Sequence, residues 1–337
     1  MLWYTIASLL PAGLLVLACL FGGVWPGLAL VSITVFVFFM DKIGHVLPRH
    51  AASGRALSLT LAGIHFCLLP LGVWALSAPG HLGLLGTVLV FSGLGLFFGQ
   101  VSNSNAHELI HAGRRWPRQI GAAVYISLLY GHHVSAHLRV HHVHAATGAD
   151  PNSAPMGMGF WRYCAHVLRG EFMAGLRAET AQRTRSVPPA PALGHPYIGY
   201  VLGGLVALGI AFGLGGVTGL VAYVGIAAYA QWQLLLSDYV QHYGLRRRVL
   251  ASGKAEPMGP QHSWNAPAWY SGAMMLNAPR HSDHHMRPGR AFPALELTAA
   301  TMPVLPRSLP VMAVVALFPP VWHRVMDRRA AQWQDVA

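Results

Sequence analysis

Charge is scarce in this chain. Charged side chains are 10% of its 337 residues, where soluble proteins carry about 25%, so a soluble fold of this size could not cover its surface. Acid is scarcer still: 11 Asp and Glu stand against 23 Lys and Arg, a net charge of +12. That excess gathers in no basic block of the kind that binds nucleic acid; it flanks apolar runs, the pattern of a membrane protein's orientation, so no nucleic-acid partner is expected. Cysteine is nearly absent. The three present, Cys19, Cys67 and Cys164, are too few and too scattered for a disulfide framework or a zinc ribbon. There is no repeat of solenoid type and no low-complexity tract. The N-terminus has no basic segment before its first apolar run, and another apolar run follows at once, so that run reads as a retained helix and not as a signal peptide.

What the chain has in quantity is apolar length. Hydrophobic residues make up 54%. Six stretches approach the ~20 residues needed to span a bilayer core: Leu2–Phe21, Gly27–Met40, Ala56–Leu76, Leu82–Val101, Tyr197–Leu214 and Val217–Leu236. The connections Gly22–Pro26, Ser77–His81 and Gly215–Gly216 contain no Lys or Arg. Lys42, Arg49 and Arg55 lie in the Asp41–Arg55 loop, nine arginines follow Val101, and eleven basic residues lie in the C-terminal segment. With six crossings, all 23 basic residues fall on one side, which the positive-inside rule makes cytoplasmic. The expected fold is an all-α integral membrane protein of six transmembrane helices with a cytoplasmic histidine-rich cap and both termini in the cytoplasm. It is read as one membrane domain over 1–337: helices one to four in 1–101, a cytoplasmic segment in 102–196, helices five and six in 197–236, and a second cytoplasmic segment in 237–337. Gln119–Gly131 and Val311–Pro320 are apolar but too short to span, and read as interfacial or re-entrant segments packed on the cap.

Histidine is abundant, 20 residues, and clustered. Four groups stand out: His107-Glu108-Leu109-Ile110-His111, His137-Leu138-Arg139-Val140-His141-His142, His242 within Asp238–Leu245, and His281-Ser282-Asp283-His284-His285. Residues three or four apart on a helix share a face. His107 and His111 are therefore expected to point one way, as are His137 with His141, and His281 with His284 and His285. Two imidazoles on one face can grip a metal, and several such pairs from different helices can enclose two. Neutral imidazole suits iron, zinc, copper and nickel. His107 lies six residues past the fourth apolar run and His242 six past the sixth, so both reach the same level of the membrane. His132, His133 and His144 flank the second group, and His262 is placed outside the ligand set. His45, His50, His65, His81, His166, His195 and His323 have no supporting spacing. The first group also fits the zinc-protease pattern, but that pattern recruits one further ligand, and grouped histidines elsewhere argue against it.

At these residues the sequence resembles the membrane-bound alkane monooxygenases, within the wider fatty acid desaturase and hydroxylase superfamily. The likeness rests on His107–His111, on Tyr130–Ala154 with its ending Thr147-Gly148-Ala149-Asp150-Pro151-Asn152-Ser153-Ala154, on Gln241-His242-Tyr243-Gly244-Leu245, and on His262–Arg290, which holds His262-Ser263-Trp264-Asn265 and Arg280-His281-Ser282-Asp283-His284-His285. The Asp41-Lys42-Ile43-Gly44 turn is similar too. The resemblance implies nine iron ligands: His107, His111, His137, His141, His142, His242, His281, His284 and His285. It implies two non-haem irons and insertion of one atom of O2 into the terminal C–H bond of an alkane or alkyl chain. Electrons would come from NAD(P)H through a reductase and a rubredoxin- or ferredoxin-type carrier, at the inner membrane. Ala136 and Gln241 stand where the family has Glu, and Ala112-Gly113-Arg114-Arg115 where it often has Lys-Lys. Glu108, Ala136, Gln241, Asp283 and Asn265 are expected to tune the ligands without binding metal.

An alkane offers no polar handle, so substrate is expected from the lipid through an apolar channel. Trp25, Phe36, Phe38 and Phe39 are candidates to limit its length. Xylene-type methyl hydroxylation and fatty acid desaturation or hydroxylation are the alternatives that share this chemistry. A metal transporter would place polar ligands near the bilayer midplane, where this chain has only His65.

Overall fold

The computed structural model describes residues 1–44 and 53–335, so Arg49, His45, His50 and Ala337 lie outside the described residues. Every long element among those described is a helix. Five helices are long and apolar enough to cross a membrane: Leu2–Phe21, Trp25–Lys42, Arg55–Ser77, Gly83–Ile110 and Pro196–His242.

Each spanning helix is apolar nearly all round, so burial is decided by packing and not by an apolar stripe. In Leu2–Phe21 the residues turned inward are Tyr4, Ala7, Ser8, Pro11, Ala12, Leu15, Ala18 and Cys19, at helical spacing and mostly small. Leu2, Leu10, Leu20 and Phe21 face outward. Small residues inside and large ones outside are what helices packing in lipid require, because close backbone approach replaces the hydrophobic effect there.

The longest element contains a reversal. Within Pro196–His242 the backbone leaves helical geometry at Gly215 (φ −153°, ψ 21°) and Gly216 (φ 57°, ψ −141°). A β-carbon on Gly219 would stand 2.3 Å from the Ala211 carbonyl oxygen. Residues eight apart on a straight helix are separated by about 12 Å along its axis, so the two arms fold back on each other. The fifth and sixth apolar stretches are the arms of one hairpin.

The contact that positions the site joins the fourth span to the second arm of this hairpin. A β-carbon on Gly95 would fall 2.0 Å from Tyr229 Cδ1, and one on Gly99 2.4 Å from Gln233 Cβ. One turn on, Asn103 Nδ2 donates to the Ala230 carbonyl at 3.0 Å. This Gly-x-x-x-Gly contact holds together the two helices that carry His107 and His242.

The cap is built from the segments after these helices. Phe160–Arg185 buries Phe160, Tyr163, Val167, Glu171, Gly175 and Glu179 along one face and exposes its arginines at 162, 169, 177 and 185 on the other. The short apolar segments form the helices Arg115–Ser127 and Leu309–Ala316, too short to span.

Candidate metal centre

Two of the helices long and apolar enough to cross a membrane carry the first candidate histidines without an intervening loop. The fourth span passes through a π-helical turn, Phe98–Ser102, into Asn103–Ile110, which bears His107 and ends on His111. The hairpin's second arm ends on His242. The short helix His281–Met286 is fixed from both sides. Asn265 Oδ1 accepts from the Ser282 amide at 2.9 Å and its Nδ2 donates to Ser282 Oγ at 2.7 Å. Asp283 pairs with Arg287 and Arg290, each at 3.0 Å, and accepts from the Glu296 amide.

All nine singled-out histidines come together, in two adjoining groups. His107, His111, His137, His142 and His284 form one; His141, His242, His281 and His285 form the other. Helical spacing does turn these histidines the same way, the His137 and His141 rings lying 5.2 Å apart, but the grouping divides them. Residues His137–His141 form a π-helical turn. A π turn bonds i to i+5, which sets His142 beside His137, Nε2 to Nε2 2.9 Å, and sends His141 to the other group, its ring 4.5 Å from that of His242. His281, His284 and His285 likewise divide: His285 joins His281 at 3.1 Å, while His284 reaches His142 at 3.1 Å.

The nitrogens themselves test whether metal ions fit. His137 Nε2 lies 2.9 Å from His107 Nε2, 3.0 Å from His111 Nε2 and 2.9 Å from His142 Nε2. A neutral imidazole has one N–H, so it can make at most one of these contacts a donated hydrogen bond. Lone pairs converging this closely need a cation between them. Nitrogens at right angles around an ion, with bonds of about 2.1 Å, stand about 3.0 Å apart, whereas tetrahedral angles would spread them to about 3.4 Å. In the second group His141 Nε2 is buried with no hydrogen-bond partner among the described residues. The donor set fits one metal ion per group.

Electrostatics agree. Burial, then His141 and His133, push His111 down to about 4. Burial, with His141 next, takes His281 to about 3. His137, His142, His284 and His285 are pushed well below the usual histidine value, by burial first and by neighbouring histidines second. They are therefore neutral at physiological pH, the form that binds metal. His141 is the exception. Burial alone would lower it, but the Asp150 carboxylate, accepting from its Nδ1 at 2.9 Å, raises it. Asp150 is in turn held below the usual carboxylate range: burial would raise it, and His141, Ser153 Oγ at 2.6 Å and the Asn152 amide more than offset that.

Asp150 is the residue that spacing rules missed. It lies in the Thr147–Ala154 run, nine positions from His141, and only the turn at Ala146 (φ 59°) returns it. A second carboxylate, Glu171, accepts from His133 Nδ1 at 2.5 Å and Tyr130 Oη at 2.6 Å, and the His133 ring packs 5.1 Å from that of His137. The five expected tuning residues brace backbone. Glu108 accepts from the Phe292 amide, Gln241 bridges Ser237 Oγ and the Ala278 carbonyl, and Asp283 and Asn265 hold the 281–286 helix as above. Ala136 packs at Gly175. Among the described residues none of these five hydrogen-bonds a grouped imidazole. His262 bonds Glu256 at 3.1 Å and His65 bonds Ser127 at 2.8 Å, both outside the groups.

A cavity runs from the groups between the fourth span, the hairpin's second arm and helix Leu309–Ala316. His107, His137 and His281 line it together with Gln100, Asn103, Gln233, Leu234, Leu309 and Ala313. The aromatics of the second helix do not line it. Phe36, Phe38 and Phe39 are 38%, 42% and 58% exposed and face outward.

The profile of the fatty acid desaturase family matches residues 79–315. Alkane 1-monooxygenase 2 of Pseudomonas aeruginosa is 28% identical over 316 residues, covering 90% of this chain and 83% of the relative. Alkane 1-monooxygenase 1 of the same organism is 32% identical over 289 residues, 83% of this chain and 74% of the relative. The xylene/toluene monooxygenase hydroxylase component of Pseudomonas putida is 26% identical over 228 residues, 66% and 58%.

Proposed function

Because the chain belongs to the fatty acid desaturase family, and within it to the alkane 1-monooxygenases, we propose that it is a di-iron hydroxylase that oxidises the terminal carbon of an alkyl chain. The observation that carries this is the pair of all-imidazole groups at the membrane ends of two spanning helices. The first group would hold one iron through His107, His111, His137, His142 and His284, the second another through His141, His242, His281 and His285. Iron bound there would supply reduction of O2, one oxygen atom entering the substrate as an alcohol and the other leaving as water with two electrons and two protons.

This chain's own residues supply position and exclusion. Asp150 keeps the His141 Nδ1 proton in place, so Nε2 points into the second group. The Gly95–Gly99 contact sets His107 and His242 at one level. The cavity lined by Leu309 and Ala313 as well as by His107, His137 and His281 would bring an alkyl chain dissolved in lipid to the histidines. A chain entering end-first brings its methyl to the histidines before any internal carbon, which supports terminal attack although internal C–H bonds are weaker.

The first four spanning helices and the two hairpin arms make six crossings. The basic residues then face the cytoplasm with both termini, at the inner membrane. Reduction by a small carrier of the rubredoxin or ferredoxin type, itself reduced from NAD(P)H, completes the reading. The xylene-type alternative has the xylene/toluene relative in its favour, over less of the chain. Octane, hexadecane, p-xylene and a fatty acid supplied in parallel to cells expressing the chain with a reductase and carrier separate them. A 1-alkanol supports the proposal; benzylic alcohol alone, or an olefin without alcohol, refutes it. Metal analysis should find two irons per chain, and activity restored only by zinc would refute the iron assignment.

A further inference from the structure

The rings around the end of the hairpin's second arm form a set that hydroxylation does not use. Tyr243 directly follows the ligand His242. Its ring lies 5.3 Å from Trp322 and 5.4 Å from Tyr239, and those two lie 5.2 Å apart. From Tyr239 the contacts continue to Phe160 at 5.6 Å and from Phe160 to Trp161 at 5.3 Å. Trp161 is 54% exposed. All but Phe160 are Tyr or Trp, the side chains most readily oxidised by one electron.

The Tyr243 hydroxyl has a surface outlet of its own. It donates to Asp327 Oδ1 at 2.5 Å and lies 2.8 Å from His323 Nδ1. The side chains of Asp327 and His323 are 41% and 27% exposed. A phenol that loses an electron becomes a strong acid and must release its proton at once. Packing alone explains the burial of Tyr239 and Trp322. It does not call for a surface carboxylate on the phenol that follows His242 in the chain, or for rings in contact from that phenol to solvent.

We propose that these rings carry oxidising equivalents from the metal centre to the surface when O2 has been activated and no substrate C–H bond is in reach. This rests on the hydroxylase reading, which supplies the oxidant. Tyr243 gives one electron to the oxidised metal site and its proton to Asp327, the carboxylate its hydroxyl already donates to. Trp322 or Tyr239 refills Tyr243, which takes the proton back, and the hole moves to Trp161. There a low-molecular-weight thiol gives up one electron and one proton. Two such passages oxidise two thiols to one disulfide. With the two electrons and two protons of normal turnover they complete the reduction of O2 to two waters. The rings thus replace the two electrons the substrate would have given.

The test uses the full iron-loaded chain, reduced with dithionite, mixed with O2 without alkane and freeze-quenched for electron paramagnetic resonance. Wild type should show a tyrosyl or tryptophanyl radical that saturating octane suppresses. Tyr243→Phe should lose the signal, and peptide mass spectrometry should find oxidation moved from Trp161 to the ligand histidines. Trp161→Phe should keep the radical and prolong it. Asp327→Asn leaves the buried packing intact and guards against a misfolded Tyr243→Phe; it should slow radical formation and change its solvent isotope effect. An unchanged radical and oxidation pattern in Tyr243→Phe that retains iron, or an unchanged rate in Asp327→Asn, overturns the proposal. Alcohol formation by the same wild-type sample separates the two readings: alcohol without a radical overturns this proposal alone, and neither alcohol nor iron overturns the hydroxylase reading and this with it.

Discussion

Replacing Asp150 tests whether the two groups are separate metal sites. Asp150 touches only the second group, through His141 Nδ1 at 2.9 Å, and its side chain is fully buried. The bond is charge-assisted, because Asp150 is held below the usual carboxylate range while His141 is raised. A carboxylate behind a ligand imidazole is worth about 10- to 100-fold in metal affinity, or about 1.4 to 2.7 kcal/mol. Asp150→Asn keeps the shape and an accepting oxygen but loses the charge, so it should fall near the low end. Asp150→Ala leaves a buried N–H unpaired and should fall near the high end. The assay is iron content after dialysis against graded chelator, with circular dichroism as a check on fold. Both variants should lose one iron at lower chelator than wild type and keep the other at the wild-type midpoint. The acid limb should shift as well. A carboxyl whose pKa is depressed on folding adds stability above its unfolded value of 3.8 and loses it as pH falls through the depressed one, so the wild type should lose part of its acid-side stability there and Asp150→Asn should not. Joint loss of both irons at one chelator concentration, or no change in either, would refute this partition and the role of Asp150.

Other outcomes follow from the same geometry. Gly95→Val should destabilise the detergent-solubilised protein by at least about 1–3 kcal/mol, read from its thermal transition, since even a β-carbon meets the Tyr229 ring at 2.0 Å; an unchanged transition refutes that close approach. His242→Ala should abolish oxidation while His195→Ala, a half-buried helix cap outside both groups, keeps wild-type turnover. Gln241→Glu should retain both irons and change the rate only modestly, because the Gln241 side chain faces Ser237 and Ala278 and no imidazole; loss of metal would contradict this. Ala313→Phe should shift the product profile toward shorter alkanes, as it narrows the cavity that Ala313 lines.

The nine histidines that come together were legible because their chemistry is carried by residue type and local spacing, and because His107 and His242 follow apolar runs long enough to span a bilayer. Their assignment to two groups was not. At His137–His142 it turns on a π-helical turn, and a helix that slips its hydrogen bonds by one residue leaves no trace in the identities of its side chains; at His281–His285 it turns on how the 281–286 helix is set between the two groups. Asp150 was in view as part of a motif, yet its partner was hidden, since a positive-φ alanine and not a periodic element brings it back to His141. The aromatics of the second helix misled for a related reason. Hydropathy cannot tell an outward-facing ring from one lining a channel, and Phe36, Phe38 and Phe39 are partly exposed and do not line the cavity at the histidines.

His107 and His242 ride on the ends of the two rods that cross the bilayer, with no flexible joint between lipid and ligand. Membranes differ in thickness by a few ångströms, and spanning helices answer a mismatch chiefly by tilting. For two independent rods, a tilt of only a few degrees would slide their ends past each other by more than the tolerance of a coordination bond. Here Gly95 and Gly99 bring no side chain of their own to the contact and seat Tyr229 and Gln233 of the other rod against the bare backbone, so the two tilt together. A bilayer of changing composition can then rock the centre as a whole without stretching it.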